Sequence, residues 1–256
     1  MIKQIWLKEL RAGLYTWKST IWLLIASLLF SFTSYLLLTD KELSLLDQTE
    51  MLWLLAKIII GVGLLVITID ASSIVTSEFE KETAESLFLS PISLKDFIMG
   101  KMIASLTLWL FVYIIATPYI IVASSGSSLA LPFLAYTALL GTLGVLGLVM
   151  IAFAISLLYR SSKNTLTTSL VILLVFAIPA LFSSTLKNNT LSDLFSKINP
   201  IDNIFSSLDN VLVDYQTSIL QNWTYIFPLI LFCVFGFILL TFSAKRFNKE
   251  GVIKSD

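Results

Sequence analysis

The 256 residues contain no histidine. That removes every site built on imidazole: His-liganded zinc or haem, the Ser-His hydrolases and the HExxH proteases. The one cysteine, Cys233, lies inside an apolar run, so the chain can assemble neither a disulfide framework nor a thiolate metal cluster. Charge is scarce as well. Only 13% of the residues are Asp, Glu, Lys or Arg, where a soluble domain carries about 25%. The two signs balance at 17 each, which argues against a general nucleic-acid binder. No phosphate loop of the form GxxxxGK[ST] is present: Gly100-Lys101 is followed by Met102, and position 95 is lysine rather than glycine.

What fills the space instead is apolar. Hydrophobic residues make up 57% of the chain, with a mean hydropathy of +0.88. Six runs are long enough to cross a bilayer, at about 20–38, 52–74, 98–122, 132–158, 165–183 and 224–243, against the roughly 20 residues that a hydrocarbon core requires. The sequence therefore reads as an all-α polytopic membrane protein, a single transmembrane domain over 1–256. Lys3, Lys8, Arg11, Lys18, Lys81, Lys95, Lys101, Arg160, Lys163, Lys245, Arg246, Lys249 and Lys254 fall on one side of such a chain. Only Lys41, Lys187 and Lys197 fall on the other, with Lys57 inside a span. The positive-inside rule then puts both termini in the cytoplasm. The start, MIKQIWLKELR, is too charged for a signal peptide and lacks its cleavage site.

Between the second and third runs lies the longest charged stretch flanked by apolar ones, SEFEKETAESLFLSPISLKDFIMGK, from Ser77 to Lys101. Glu78, Glu82 and Glu85 fall at i, i+4 and i+7 and share one face of a helix. Ser90-Pro91 ends that helix, because the residue before a proline is pushed out of the helical region. Ser93 with Asp96 three residues on has the pattern of a capping box for the next helix. The product is a short acidic helix over 77–92, a handle for a partner on the cytoplasmic side.

At the N-terminus, Ile2, Ile5, Trp6, Leu10, Leu14 and Trp17 recur at helical spacing, with Lys3, Lys8, Glu9 and Arg11 off the stripe. Such a helix is expected to lie in the interface with its apolar face down. Its reading as a simple anchor and as a second contact for the same partner both stand. Two ionisable residues, Lys57 and Asp70, fall in the second run. Thirteen residues of helix hold them about 20 Å apart, too far to pair. Each is either an interfacial anchor or a member of a pathway or inter-helix contact. Thr117-Pro118 predicts a kink in the third span, and Gly141, Gly144 and Gly147 predict close helix packing in the fourth. The stretch 184–222 carries two apolar stripes, Leu191, Leu194, Phe195 and Ile198, then Ile201, Ile204, Phe205, Leu208, Val211 and Leu212. They predict two short amphipathic helices that sit at or dip into the outer leaflet, serving as a folded lid over the bundle or as an exit gate. Asn222-Trp223-Thr224 matches a glycosylation sequon.

On these residues the whole chain resembles the permease subunits of ATP-binding-cassette exporters of the type 2 family. The family's recurring stretch runs roughly Glu-x-Glu-x-Gly-Thr-Leu-Glu-x-Leu-Leu-x-x-Pro-Ile-Ser and closes on Gly-Lys. Here it reads Glu78-Phe79-Glu80-Lys81-Glu82-Thr83-Ala84-Glu85-Ser86-Leu87-Phe88-Leu89-Ser90-Pro91-Ile92-Ser93, then Gly100-Lys101, with Glu82 in place of glycine and Ala84 in place of leucine. The resemblance implies an elbow helix over 1–18, six spans, a cytoplasmic coupling helix over 77–92 and outer helices over 184–222. It also implies two copies of a separate cytoplasmic ABC ATPase, a second permease as homodimer or heterodimer, and a plasma-membrane location. ATP would be bound by the partner subunit, so the chain itself holds no cofactor or metal and is not an enzyme. Glu78, Glu82, Glu85, Leu87 and Pro91 would then carry the coupling contacts. Spans lined by Ser, Thr and aromatic residues suit an amphiphilic cargo, lipid, peptide or drug-like. The alternative is an ATPase-independent channel or secondary transporter, which favours related halves and charged midplanes; no internal repeat is visible. An intramembrane hydrolase lacks the second acidic residue that an aspartate dyad needs.

Overall fold

A computed structural model describes residues 2–14, 17–39, 48–81, 93–125, 130–159, 161–181, 195–213 and 222–253. Among the described residues there is no strand. A bilayer offers no water to the backbone, so apolar runs of this length satisfy their N–H and C=O groups within helices. The helices are α1 (Ile2–Leu14), α2 (Trp17–Thr39), α3 (Gln48–Ile74), α4 (Thr76–Glu80), α5 (Leu94–Ala123), α6 (Ala130–Tyr159), α7 (Ser162–Leu181), α8 (Pro200–Leu212) and α9 (Trp223–Ile253). Six of them, α2, α3, α5, α6, α7 and α9, are long and apolar enough to cross a membrane. Each contains one of the six apolar runs, apart from residues 182 and 183, which lie outside the described residues.

α3 and α6 form the axis of the bundle. Their apolar windows are 56% and 67% buried inside the chain, against 22% for both α2 and α7. α6 packs most extensively on α9 and on α3, and α3 also packs on α5 and α7. The three glycines of α6 explain how so many partners fit. Gly141 receives Trp109 of α5, Gly144 receives Ile204 of α8, and Gly147 receives the Phe232 ring of α9. Each socket admits one large side chain where a Cβ would stand.

Local signals set the helix ends. The Ser93 hydroxyl accepts the Asp96 N–H at 3.1 Å, so the capping-box pattern opens α5. α3 and α4 are separated at Val75, in a stretch where hydroxyls bond back to carbonyls three or four residues earlier: Ser72 to Ile69, Ser73 to Asp70 and Thr76 to Ser72. Such bonds compete with the helical ladder. α4 ends at Glu80 with Lys81 as its C-cap; residues 82–92 lie outside the described residues. α5 continues helically through Pro118, and the Thr117 hydroxyl donates to the Tyr113 carbonyl at 3.0 Å.

Two elements pack closely on the rest of the bundle. On α1, Ile5 is buried against Gly100 of α5, and the Trp6 indole N–H donates to Thr107 Oγ1 at 3.1 Å. α8 packs into the bundle on both its apolar and its polar side. Ile201, Ile204, Phe205, Leu208, Val211 and Leu212 are buried, but so are Asp202, Asn203 and Ser207 on its polar side. It packs against α3, α6, α7 and α9. The seat of Ile204 at Gly144, halfway along α6, places α8 deep inside the bundle. Asn222 is buried and its carbonyl accepts the Tyr225 and Ile226 N–H groups, so it begins α9 rather than presenting a sequon.

Candidate functional site

The end of the bundle that carries α1 and the last turns of α9 holds a connected polar network. Glu78 lies on α4 and is half-hidden. Its carboxylate accepts from Lys101 of α5 at 3.4 Å and from Lys8 of α1 at 3.3 Å. Lys101 is 1% exposed and also donates to Glu9 of α1 at 2.7 Å and to the Ile74 carbonyl at 2.8 Å. That carbonyl belongs to the last turn of α3, where helical C=O groups lack partners and a cation is favoured. The Phe97 ring stands 4.9 Å from the same ammonium.

The neighbouring residues of α4 reach other spans. Glu80 accepts the backbone N–H of Ser162 and its hydroxyl, both at 2.7 Å, which places a carboxylate at the N-terminus of α7. Thr76 and Ser162 share a hydroxyl–hydroxyl bond at 2.8 Å. Phe79 packs on Phe247 of α9, with ring centroids 5.5 Å apart. One short helix thus touches α1, α5, α7 and α9 while continuing from α3.

Of the residues singled out in the sequence, Glu78 is in this network. Glu82, Glu85, Leu87 and Pro91 lie outside the described residues. Asp70 and Lys57 are not brought together. Asp70 accepts from Ser105 of α5 at 3.2 Å, near the α4 end of the bundle. Lys57 sits toward the other end, its ammonium 3.4 Å from the Trp53 ring centroid and 5.5 Å from that of Phe205 on α8. Asp209 and Asp202 of α8 add attractive charge there, and the Trp53 indole N–H donates to the Phe205 carbonyl at 3.1 Å. Both residues therefore make inter-helix contacts.

Sequence reasoning overlooked Lys101, Glu9, Glu80 and Ser162. A signal for Lys101 was available: it falls inside the apolar run 98–122, and an ionisable residue in a span marks a site on the same grounds as Lys57 and Asp70. Glu80 belongs to the family's recurring stretch, but nothing in the sequence pairs it with Ser162, 82 positions away. Deeper in the bundle, Leu64, Gly144, Leu148, Phe176, Pro200, Ile201, Ile204 and Phe232 line an apolar crevice beside the start of α8. Asn199 fixes that start: its side chain accepts the Ile201 N–H at 3.0 Å and donates to the Phe176 carbonyl of α7 at 2.8 Å.

The model of the family described as "ABC-2 family transporter protein" matches residues 4–252, nearly the whole chain. No curated protein matches it.

Proposed function

Since the chain belongs to the ABC-2 family of transporter proteins and carries six helices able to cross a membrane, we propose that it is the permease half of an exporter driven by separate ABC ATPase subunits. Two permeases, identical or homologous, form the path, and two ATPases grip the segment 77–92 of each. The Lys and Arg distribution supports a cytoplasmic position for both termini and for that segment. The Ser, Thr and aromatic lining with few charges supports an amphiphilic cargo, lipid, peptide or drug-like.

The observation that carries this reading is the placement of α4. The acidic segment leaves the membrane from α3, and its first turn is bonded to α7 through Glu80 and stacked on α9 through Phe79. A push on the segment is delivered to three spans at once, as a rigid-body rocking motion requires.

The test is purification of the tagged chain from its native membrane in mild detergent, with identification of co-purifying proteins. A P-loop ATPase that is lost on Glu82→Lys with Glu85→Lys supports the proposal. Recovery of this chain alone would move the channel or secondary-transporter reading to the front. Permease-stimulated ATP hydrolysis that survives the double substitution would remove 77–92 from the coupling role.

A further inference from the structure

Four charges at the start of α4 close into a circuit. Lys8 and Glu9 are adjacent on α1; Lys8 meets Glu78, Glu78 meets Lys101, and Lys101 returns to Glu9, at 3.3, 3.4 and 2.7 Å. Signs alternate around the ring and sum to zero. That balance is what lets Lys101 lie 1% exposed, since a buried ammonium without a counter-charge would be expelled or neutralised. Lys101 is the member that matters most: without it Glu9, 11% exposed, loses the cation that holds it, whereas Lys8 is 61% exposed and Glu78 is bonded from both sides.

The ring joins two attachments of unequal strength. α1 is fixed to α5 three times: by Glu9 on Lys101, by Ile5 in the space beside Gly100, and by Trp6 on Thr107. Among the described residues, the side chain that ties α4 itself to this pair is that of Glu78, held by both Lys8 and Lys101. We propose that Lys101 is a positioning residue, a charge clasp that makes α1, α4 and the first turns of α5 one moving body. Force applied at 77–92 then enters the third span and the N-terminal helix as well as the spans that α4 touches directly. This inference rests on the coupling reading above for the origin of the force, though not for the existence of the rigid body.

The experiment places spin labels at Gln4→Cys on α1 and Lys81→Cys at the end of α4, in a Cys233→Ser background, in lipid nanodiscs. Distances are measured in the permease alone and in the complex with its co-purified ATPase, with and without ATP and vanadate. The expected result is one narrow distance that nucleotide does not change. Lys101→Met broadens it and lowers permease-stimulated ATP hydrolysis about tenfold, within the range of a coupling between two sites. Lys101→Arg keeps the narrow distance. A wild-type distance that shifts with nucleotide, or a Lys101→Met distance as narrow as wild type, overturns the clasp. The resting comparison needs no ATPase. A preparation that shows the clasp but lacks nucleotide-driven activity therefore fails the coupling reading and not this one.

Discussion

The indole N–H of Trp109 donates to Thr142 Oγ1 at 3.0 Å, and to reach it the ring passes between two glycines on different helices. Its six-membered edge fills the places where Gly63 of α3 and Gly141 of α6 would carry Cβ atoms. α3, α5 and α6 therefore lock at one buried residue, Trp109. Gly63→Ala puts a methyl into the ring and forces a shift of backbone or indole. Overpacking of this kind costs about 1–3 kcal/mol, a fall in Tm of roughly 2–4 °C per kcal/mol for a chain of this length. Gly61 lies two residues away with nothing within 4 Å of an added Cβ. Gly61→Ala is expected to leave Tm unchanged or raise it slightly, since alanine is the better helix former. Thermal unfolding of both variants in one detergent checks the contrast; equal losses would mean that the socket does not hold.

How legible this was differs from element to element. The spans could be read directly, because twenty apolar residues in a row have few structural alternatives in lipid. The Ser93–Asp96 cap is a local pattern and is found where the spacing puts it. The glycines of α6 announced close packing, but the partners Trp109, Ile204 and Phe232 come from three other helices, and no spacing rule connects them. α8 shows the limit most clearly. Its apolar stripe was visible, yet a stripe cannot tell an outer leaflet from a protein cleft. What decided the matter was a cleft able to accept Asp202 and Asn203 as well as the stripe. The ring of Lys8, Glu9, Glu78 and Lys101 depends on tertiary contacts spanning up to 92 positions, so only the depth of Lys101 in its apolar run hinted at it.

Asn199 is expected to matter more than an ordinary helix cap. It serves the start of α8 through its oxygen and the Phe176 carbonyl through its nitrogen, and it is 1% exposed. Asn199→Ala loses a cap worth about 0.5–2 kcal/mol and the bond to the Phe176 carbonyl, which adds about 0.5–1.5 kcal/mol. The expected outcome is a lower Tm together with faster amide exchange over 201–204. Asn199→Asp retains the acceptor and loses the donor, so it should recover only the capping part.

Lys57 and Trp53 clamp α8 from the α3 side. Trp53 bonds the Phe205 carbonyl and carries the Lys57 ammonium over its face. Lys57→Met removes a cation–π contact worth about 0.5–2 kcal/mol and the attraction to Asp202 and Asp209, while keeping the apolar stem. Amide exchange within α8 should rise while that of α1 and α4 stays the same, because the two networks lie at opposite ends of α3. Lys57→Arg should preserve the wild-type pattern. A global rise in exchange would show instead that Lys57 supports the whole bundle.

Glu80 gives the clearest separation between local structure and transmission. It is exposed, so its loss is expected to change global stability little, yet it alone joins α4 to the first N–H of α7 through a carboxylate. Glu80→Gln keeps one acceptor oxygen and removes the charge that favours a helix N-terminus. Ser162→Ala removes the hydroxyl donor and leaves the backbone N–H. Hydrogen exchange at residues 162–165 should quicken in both variants, more in a Glu80→Ala chain than in either, with Tm nearly constant. If transport coupling passes through α4, permease-stimulated ATP hydrolysis falls in the same order as protection at 162–165 is lost. Loss of protection without any fall would confine Glu80 to capping α7 and leave Phe79 and the Lys101 ring as the routes out of the segment.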